Sequence, residues 1–174
     1  MKSKLLLYLV PFMVLAGCEK IKDATSITVN TQLQNNIPVT VTAGKSAKGI
    51  EASTFSATQD LSLANNSDLE PYLSKIDEIN LSNLVITITG LTTGQTINSI
   101  SLDVTGVGTV FTQTNITMTN NSFTPSVSST ILTQMGSKLK ADKKLTFTLT
   151  GNASGAMTFV VGCNMDARVI VFTI

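Results

Sequence analysis

The stretch Leu145-Thr146-Phe147-Thr148-Leu149-Thr150-Gly151 alternates apolar and polar side chains without interruption. Successive side chains of a β-strand point to opposite faces, so this alternation is typical of a strand with one face on a core. A similar stretch, Leu84-Val85-Ile86-Thr87-Ile88-Thr89-Gly90, occurs earlier in the chain. Both end at a glycine suited to a turn, and together they indicate an antiparallel β protein.

The same period recurs along most of the chain. Polar residues Gln34-Asn35-Asn36 separate two alternating runs and predict the turn of a hairpin. The apolar phase changes parity at Ser82-Asn83, which predicts a β-bulge there. The final run is apolar on both parities and predicts a central strand that a short C-terminal truncation would destroy. The remaining predicted strands are 27–33, 37–41, 55–63, 79–88, 100–104, 110–118, 157–161 and 169–174.

Two short helices interrupt the strand pattern. Ser67 and Glu70 have the spacing of a capping box, followed by apolar residues at helical intervals, which predicts a helix over about 67–76. Thr124-Pro125 has the cap-then-proline order of a helix start and predicts a longer helix over about 125–141. The fold class is therefore mainly β, an antiparallel β-sandwich of about eight or nine strands with two short helices.

The sandwich is immunoglobulin-like only in a loose sense, because the Cys-Trp-Cys signature of antibody domains is absent. The order strand, Asn-Asn-Ser, helix, strand, Thr-Gly turn occurs twice, with Asn65-Asn66-Ser67 matching Asn120-Asn121-Ser122. One explanation is internal duplication, which predicts two pseudo-symmetric halves with equivalent helices. The alternative is chance, since Thr and Asn are frequent in strands and turns.

The N-terminus has a different pattern. Lys2 and Lys4 precede an apolar run of about eleven residues, too short to span a bilayer of roughly 30 Å, and this is typical of a signal peptide. The run ends in Leu15-Ala16-Gly17-Cys18, which resembles the lipobox of bacterial lipoproteins. That resemblance implies cleavage between Gly17 and Cys18, lipidation of Cys18 with two or three acyl chains, and attachment to a membrane of the cell envelope.

The expected organisation is therefore a signal peptide at 1–17, a lipidated cysteine and short tether at 18–25, and one domain at 26–174. Resemblance to uncharacterised β-sandwich lipoproteins of the envelope implies a periplasmic or surface location, with the outer membrane favoured. The alternative is an ordinary secretory signal that ends near a cysteine, which also places the domain outside the cytoplasm.

Charge and composition exclude several function classes. The chain has 12 basic and 11 acidic residues, and loss of Lys2 and Lys4 with the leader makes it slightly acidic, which argues against a nucleic-acid partner. It contains no histidine, so Ser-His-Asp, Cys-His and zinc sites cannot be assembled, and neither enzymatic activity nor a cofactor or metal is expected. With no Trp and only Tyr72 after the leader, the chain has no evident stacking platform for carbohydrate.

Two kinds of side chain remain as candidates for chemistry. Cys163 is in phase with Met157, Phe159 and Val161, so a small buried hydrophobe is favoured over a reactive thiol. Four lysines cluster around the last turns of the second helix, and they either stabilise its C-terminus or bind an anionic partner. They are Lys138, Lys140, Lys143 and Lys144.

The hypothesis favoured by these features is a non-catalytic envelope module that binds a protein partner or has a structural or adhesive role. The alternative is a carrier of an apolar or lipid ligand within a splayed sandwich, for which a cavity of several hundred cubic ångströms is expected.

Overall fold

The computed structural model describes residues 25–42 and 53–173. The strands are β1 (Ser26–Val41), β2 (Ser53–Ser62), β3 (Ile76–Thr89), β4 (Ile97–Val104), β5 (Gly108–Ile116), β6 (Ser122–Phe123), β7 (Lys144–Ala153) and β8 (Met157–Phe172). One α-helix, α1 (Ser129–Asp142), and two 3₁₀ helices, Leu63–Asn65 and Glu70–Lys75, lie between them.

The eight strands form two four-stranded antiparallel sheets. The first sheet has the order β1-β8-β3-β6 and the second has the order β2-β7-β4-β5. Their inward faces share one core that contains, among others, Phe147 and Phe159, both essentially fully buried. Phe55 and Phe159 meet across the sheets edge to face, with ring centroids 5.4 Å apart. The predicted antiparallel sandwich is confirmed.

The strand order is that of a jelly roll. The pairs β1–β8, β2–β7, β3–β6 and β4–β5 are those produced by folding one long hairpin over on itself. In the immunoglobulin order the first two strands share a sheet, whereas here β1 and β2 lie in opposite sheets. The loose immunoglobulin comparison is therefore wrong in topology, because alternation predicts strands but not their partners.

The predicted hairpin at 27–41 is also wrong, because β1 runs unbroken through the expected turn. All of its sixteen residues pair with β8, which is itself one strand where two were predicted. The parity of Leu33, Asn35 and Ile37 is the same, and all three are buried. Polar composition suggested a turn, but the phase of the apolar residues indicates continuity.

Asn35 is thus placed in the core opposite Cys163, and its Nδ2 has no hydrogen-bond partner among the described residues. A buried donor without a partner costs about 1–3 kcal/mol, so we expect Asn35→Leu to stabilise the domain by about 1–2 kcal/mol. Chemical denaturation measures the change. The control is Gln34→Leu on the exposed side of the same strand, which should alter stability by less than about 0.5 kcal/mol. Equal effects of the two substitutions would contradict the explanation.

The bulge predicted at Ser82-Asn83 is confirmed. The pairing of β3 with β8 shifts register between Ser82 and Val85, and Asn83 adopts a left-handed conformation with φ 50°. An asparagine tolerates this region better than most residues do. The bulge turns the Asn83 side chain toward the outer face of the first sheet, where it contacts Asp166.

Both helices begin later than predicted. The first is the 3₁₀ helix Glu70–Lys75, and the turn before it is held by Asn66, whose Oδ1 accepts bonds from the amides of Asp68 and Leu69. The predicted Ser67 capping box is absent.

Helix α1 starts at Ser129, and its N-cap is Ser128, whose hydroxyl accepts from the amide of Ile131. The prediction that Thr124-Pro125 starts the helix is wrong, because β6 pairs with β3 immediately before it. Residues 124–128 are not helical, and Ser128 itself is extended. The first helix start is set by the local turn at Asn66, and the second is set by the Ser128 cap.

The strand order gives no support to internal duplication. Duplication would make β2 equivalent to β5 and β3 equivalent to β7, so the β2–β7 pair would require a β5–β3 pair, yet these strands lie in different sheets. The matched turns also differ, because Gly90 and Gly94 have positive φ whereas Gly151 and Gly155 do not. The repeated sequence is consistent with the frequent use of Thr and Asn.

Candidate functional site

The lipidation site predicted at Cys18, the cleavage site Gly17–Cys18 and the tether lie outside the described residues. Within residues 25–42 and 53–173, none of the helices is both long and apolar enough to cross a bilayer.

The structure brings the four lysines to one region but pairs them with acceptors. Lys138 forms an ion pair with Asp142 at 2.7 Å, one turn along α1. Lys140 approaches Asp77 at the start of β3, with Nζ and Oδ1 3.5 Å apart. Both lysines therefore have a carboxylate of the same chain beside them.

The other two lysines are also engaged. Lys143 ends α1 in the left-handed conformation, and its ammonium donates to the carbonyl of Lys140 at 2.5 Å. Lys144 pairs with Asp60 of β2 at 3.0 Å. A hydrogen bond from the Thr146 hydroxyl and the Lys144 ammonium together lower the pKa of Asp60. The first interpretation of these lysines, stabilisation of the helix end, fits this arrangement better than an anionic-partner patch.

Cys163 lies in the core on β8 and is fully buried, as its phase predicts. Burial raises the pKa of its thiol from 9.0 to about 12, since the apolar surroundings disfavour the thiolate. A buried thiol held neutral is a poor nucleophile. Among the described residues, no group of three or more Cys, Asp or Glu side chains is placed to hold a metal ion.

This pKa predicts a loss of stability in alkali. Below the thiol pKa of the unfolded chain, Cys163 is protonated in both states, so its contribution to the free energy of unfolding is fully present. Above that pKa, the unfolded state loses the proton while the folded state keeps it. The free energy of unfolding should therefore fall between pH 9 and about 12, by about 1 kcal/mol at pH 10. Denaturation at pH 7 and pH 10 measures it, and Cys163→Ala should show a smaller fall. The same fall in both proteins would contradict the assignment.

The most organised polar surface is the outer face of the three long strands of the first sheet. The register places three residues side by side in each of two adjacent rungs, one from each strand. We call these six residues the amide face: Asn30, Arg168 and Asn80 in one rung, and Gln32, Asp166 and Ser82 in the next.

Asp166 is the centre of the amide face. Its Oδ2 accepts a hydrogen bond from Asn83 Nδ2 at 2.7 Å, and its Oδ1 accepts one from Gln32 Nε2 at 3.3 Å. The first bond depends on the bulge, because the left-handed Asn83 brings its amide to the neighbouring strand. Bulges frequently redirect a side chain at a functional surface. The carboxylate is therefore held in place by neutral donors.

Arg168 lies two residues along β8 on the same face and is exposed. It is the only arginine of the sequence, since all other basic residues are lysines. None of the ion pairs within the described residues involves Arg168 or Asp166. A guanidinium binds carboxylates in a bidentate fashion that lysine cannot reproduce, so its placement here is suited to recognition.

A shallow open cleft of about 410 Å³ lies over this surface, bordered by residues of β1, β3 and β8 that include Asp166 and Arg168. Two further open clefts of about 200 Å³ each lie beside the 3₁₀ helices and between β3 and α1, and both have mainly polar linings. These clefts are unlike the enclosed apolar pocket expected of a lipid carrier.

Sequence reasoning did not identify the amide face. Asp166 and Arg168 lie between the two predicted strands 157–161 and 169–174, so alternation assigned them to no strand, and the other residues occupy outward positions that it predicts only as solvent-exposed. Two signals were available: the phase change at Ser82-Asn83 and the single arginine at Arg168. The proximity of Arg168 to Asn30 of β1, more than 130 positions away, depends on strand pairing that alternation does not encode.

No known protein family and no curated protein matches the chain. Among solved structures, it is similar to one titled "Crystal structure of decameric BFDV Capsid Protein". The TM-score is 0.43 at 10% sequence identity, over 83% of this chain and 99% of that chain. The fold assignment therefore depends on the strand order of this chain itself.

Proposed function

We propose that this protein is a non-catalytic, lipid-anchored module of the bacterial cell envelope that binds a protein partner and so serves a structural or adhesive role. The observation that carries the proposal is the amide face. It combines four amide or hydroxyl side chains with one oriented carboxylate and one arginine on three paired strands. Rigid sheets position such groups more accurately than loops do.

Arg168 supports a protein partner in particular. Arginine is enriched among the residues that dominate binding energy at protein interfaces, where lysine is depleted. The surrounding amides of Asn30, Gln32 and Asn80 can both donate and accept hydrogen bonds, as backbone and side chains of a protein surface require.

The lipobox resemblance supports the anchor. The residues Glu19 to Thr25 would span at most about 25 Å when extended, so the domain would stay close to the membrane surface. Thr25 is tied to the last strand, because its carbonyl accepts bonds from the amide and hydroxyl of Thr173 at 2.7 and 2.8 Å. The tether would therefore enter the domain at a fixed corner.

Crosslinking in intact cells tests the partner. The full-length protein would be crosslinked and purified, and proteins captured with it would be identified by mass spectrometry. We expect Arg168→Ala to lose at least one partner that is retained by Lys75→Ala, a charge removal away from the amide face. The same captured proteins and the same amount of crosslinked dimer for both variants would refute the proposal, and so would a wild type that yields neither.

Fractionation tests the anchor separately. We expect Cys18→Ala to leave a folded domain that no longer sediments with membranes, whereas the wild type does. Continued membrane association of Cys18→Ala after removal of its signal would refute lipid attachment at this residue.

A further inference from the structure

We infer that the partner of the amide face is a second copy of this chain, bound through reciprocal pairs between Asp166 and Arg168. This inference rests on the proposed function of the amide face and names its partner. It arises from three observations: the two opposite charges lie on one strand, they have no ion pair within the described residues, and they lie at the middle of the sheet.

The spacing of the two charges suits a twofold arrangement. Asp166 and Arg168 are two residues apart on β8 with side chains on the same face, so their Cα atoms are separated by about 6.7 Å. Consider two copies whose amide faces pack against each other. The twofold axis lies in the plane between the two amide faces, perpendicular to β8 and level with Ala167. The rotation reverses the strand direction and places each Asp166 opposite Arg168 of the other copy.

The neighbouring side chains are compatible with this arrangement. The same rotation places the rung of Asn30 and Asn80 opposite the rung of Gln32 and Ser82 of the other copy. Amide and hydroxyl groups both donate and accept, so each rung can satisfy the other. The bonds from Asn83 and Gln32 hold Asp166 in place before association, which lowers the entropy lost on binding.

The area predicts a weak association. The rungs from Thr28 to Asn36 extend about 27 Å along three strands about 14 Å wide, or roughly 400 Å² per copy. Interfaces of this size are transient in solution. Attachment of both copies to one membrane raises their effective concentration, so pairing on the membrane is expected where dilute solution would show monomers.

Energy transfer between labelled copies in vesicles tests the inference. The lipidated full chain would carry Thr58→Cys, an exposed position on the other sheet; Cys163 is too buried to react and Cys18 is acylated. For the wild type we expect more energy transfer than randomly distributed copies at the same density in the membrane would give. Arg168→Asp alone and Asp166→Arg alone should each reduce it to the random level, because each places like charges opposite each other.

A mixture of the two charge-reversal variants provides the decisive test. Mixing Arg168→Asp with Asp166→Arg restores both ion pairs across the interface, so transfer should recover in the mixture. The double variant of one chain should also recover, and circular dichroism checks that each variant folds. Lys75→Asp, a reversal outside the amide face, should leave transfer unchanged.

Random transfer for the wild type, or failure of the mixture and the double variant to recover, would overturn the second copy as partner. If Arg168→Ala still loses a different protein in the crosslinking experiment, the proposed binding function would survive while this inference fails.

Discussion

A chain that ends at Arg168 is expected not to fold. The removed segment pairs with β1 on one side and β3 on the other, because β8 is central in its sheet. It contains Val169 and Val171, both fully buried, and burial of each stabilises the domain by about 1.5–3 kcal/mol. Together with the lost ladder bonds, the deletion removes several kcal/mol from a total that is typically about 5–15 kcal/mol.

Circular dichroism and thermal denaturation would measure the effect, and we expect no cooperative transition for the truncated chain. The matched control ends at Phe172 and keeps all of β8, losing the bonds from Thr173 to Thr25. This control should fold with a moderately lower melting temperature. A cooperative transition for the shorter chain, within about 1 kcal/mol of the full chain, would show that the end of β8 is dispensable.

Gly136→Val is expected to destabilise the domain by about 3 kcal/mol. A Cβ at this position would lie 2.2 Å from the carbonyl oxygen of Ile79 on β3, so α1 would have to move away from the sheet. Overpacking costs about 1–3 kcal/mol, and the upper end applies because the obstacle is backbone. Met135 and Leu139, which are fully buried on the same side of the helix, would lose contacts as it moves.

Ser137→Val is the matched control, since this exposed residue follows Gly136 in the same helix and receives the same β-branched side chain. Its effect should stay within about 0.5 kcal/mol. Urea denaturation of both variants measures the difference, and equal destabilisation would mean that helix propensity rather than the contact with Ile79 decides the outcome.

Much of the local structure could be predicted. Strict alternation identified β7 and the core positions of β4, and the parity change identified the bulge at Ser82-Asn83. The phase of Cys163 with Phe159 and Val161 predicted its burial. These features depend on the period of side chains along one strand, and a sequence records that period directly.

Predictions based on residue type alone were less successful. Gln34-Asn35-Asn36 has turn composition, but it lies in the middle of β1. Asn35 is buried there because all sixteen residues of β1 pair with β8. Met118 was assigned to a strand face, yet it lies in the turn after β5 and is 48% exposed. At Asn35 the tertiary context outweighed local preference, whereas the turn at Met118 is local, because Asn120 Oδ1 accepts bonds from the amide and hydroxyl of Thr117.

By itself the sequence determined the absence of histidine and the alternation that indicates a β-sandwich, and it carries the lipobox-like stretch that ends at Cys18. Only the tertiary structure decided that the strands follow the jelly-roll order, that Lys140 of α1 and Lys144 of β7 face carboxylates of other strands, and that Arg168 and Asp166 lie at the centre of an amide face. The physical reason is that periodicity is a property of neighbours in the chain. Strand partners are determined by packing and hydrogen bonding between segments far apart in the chain. The amide face is built from several such segments.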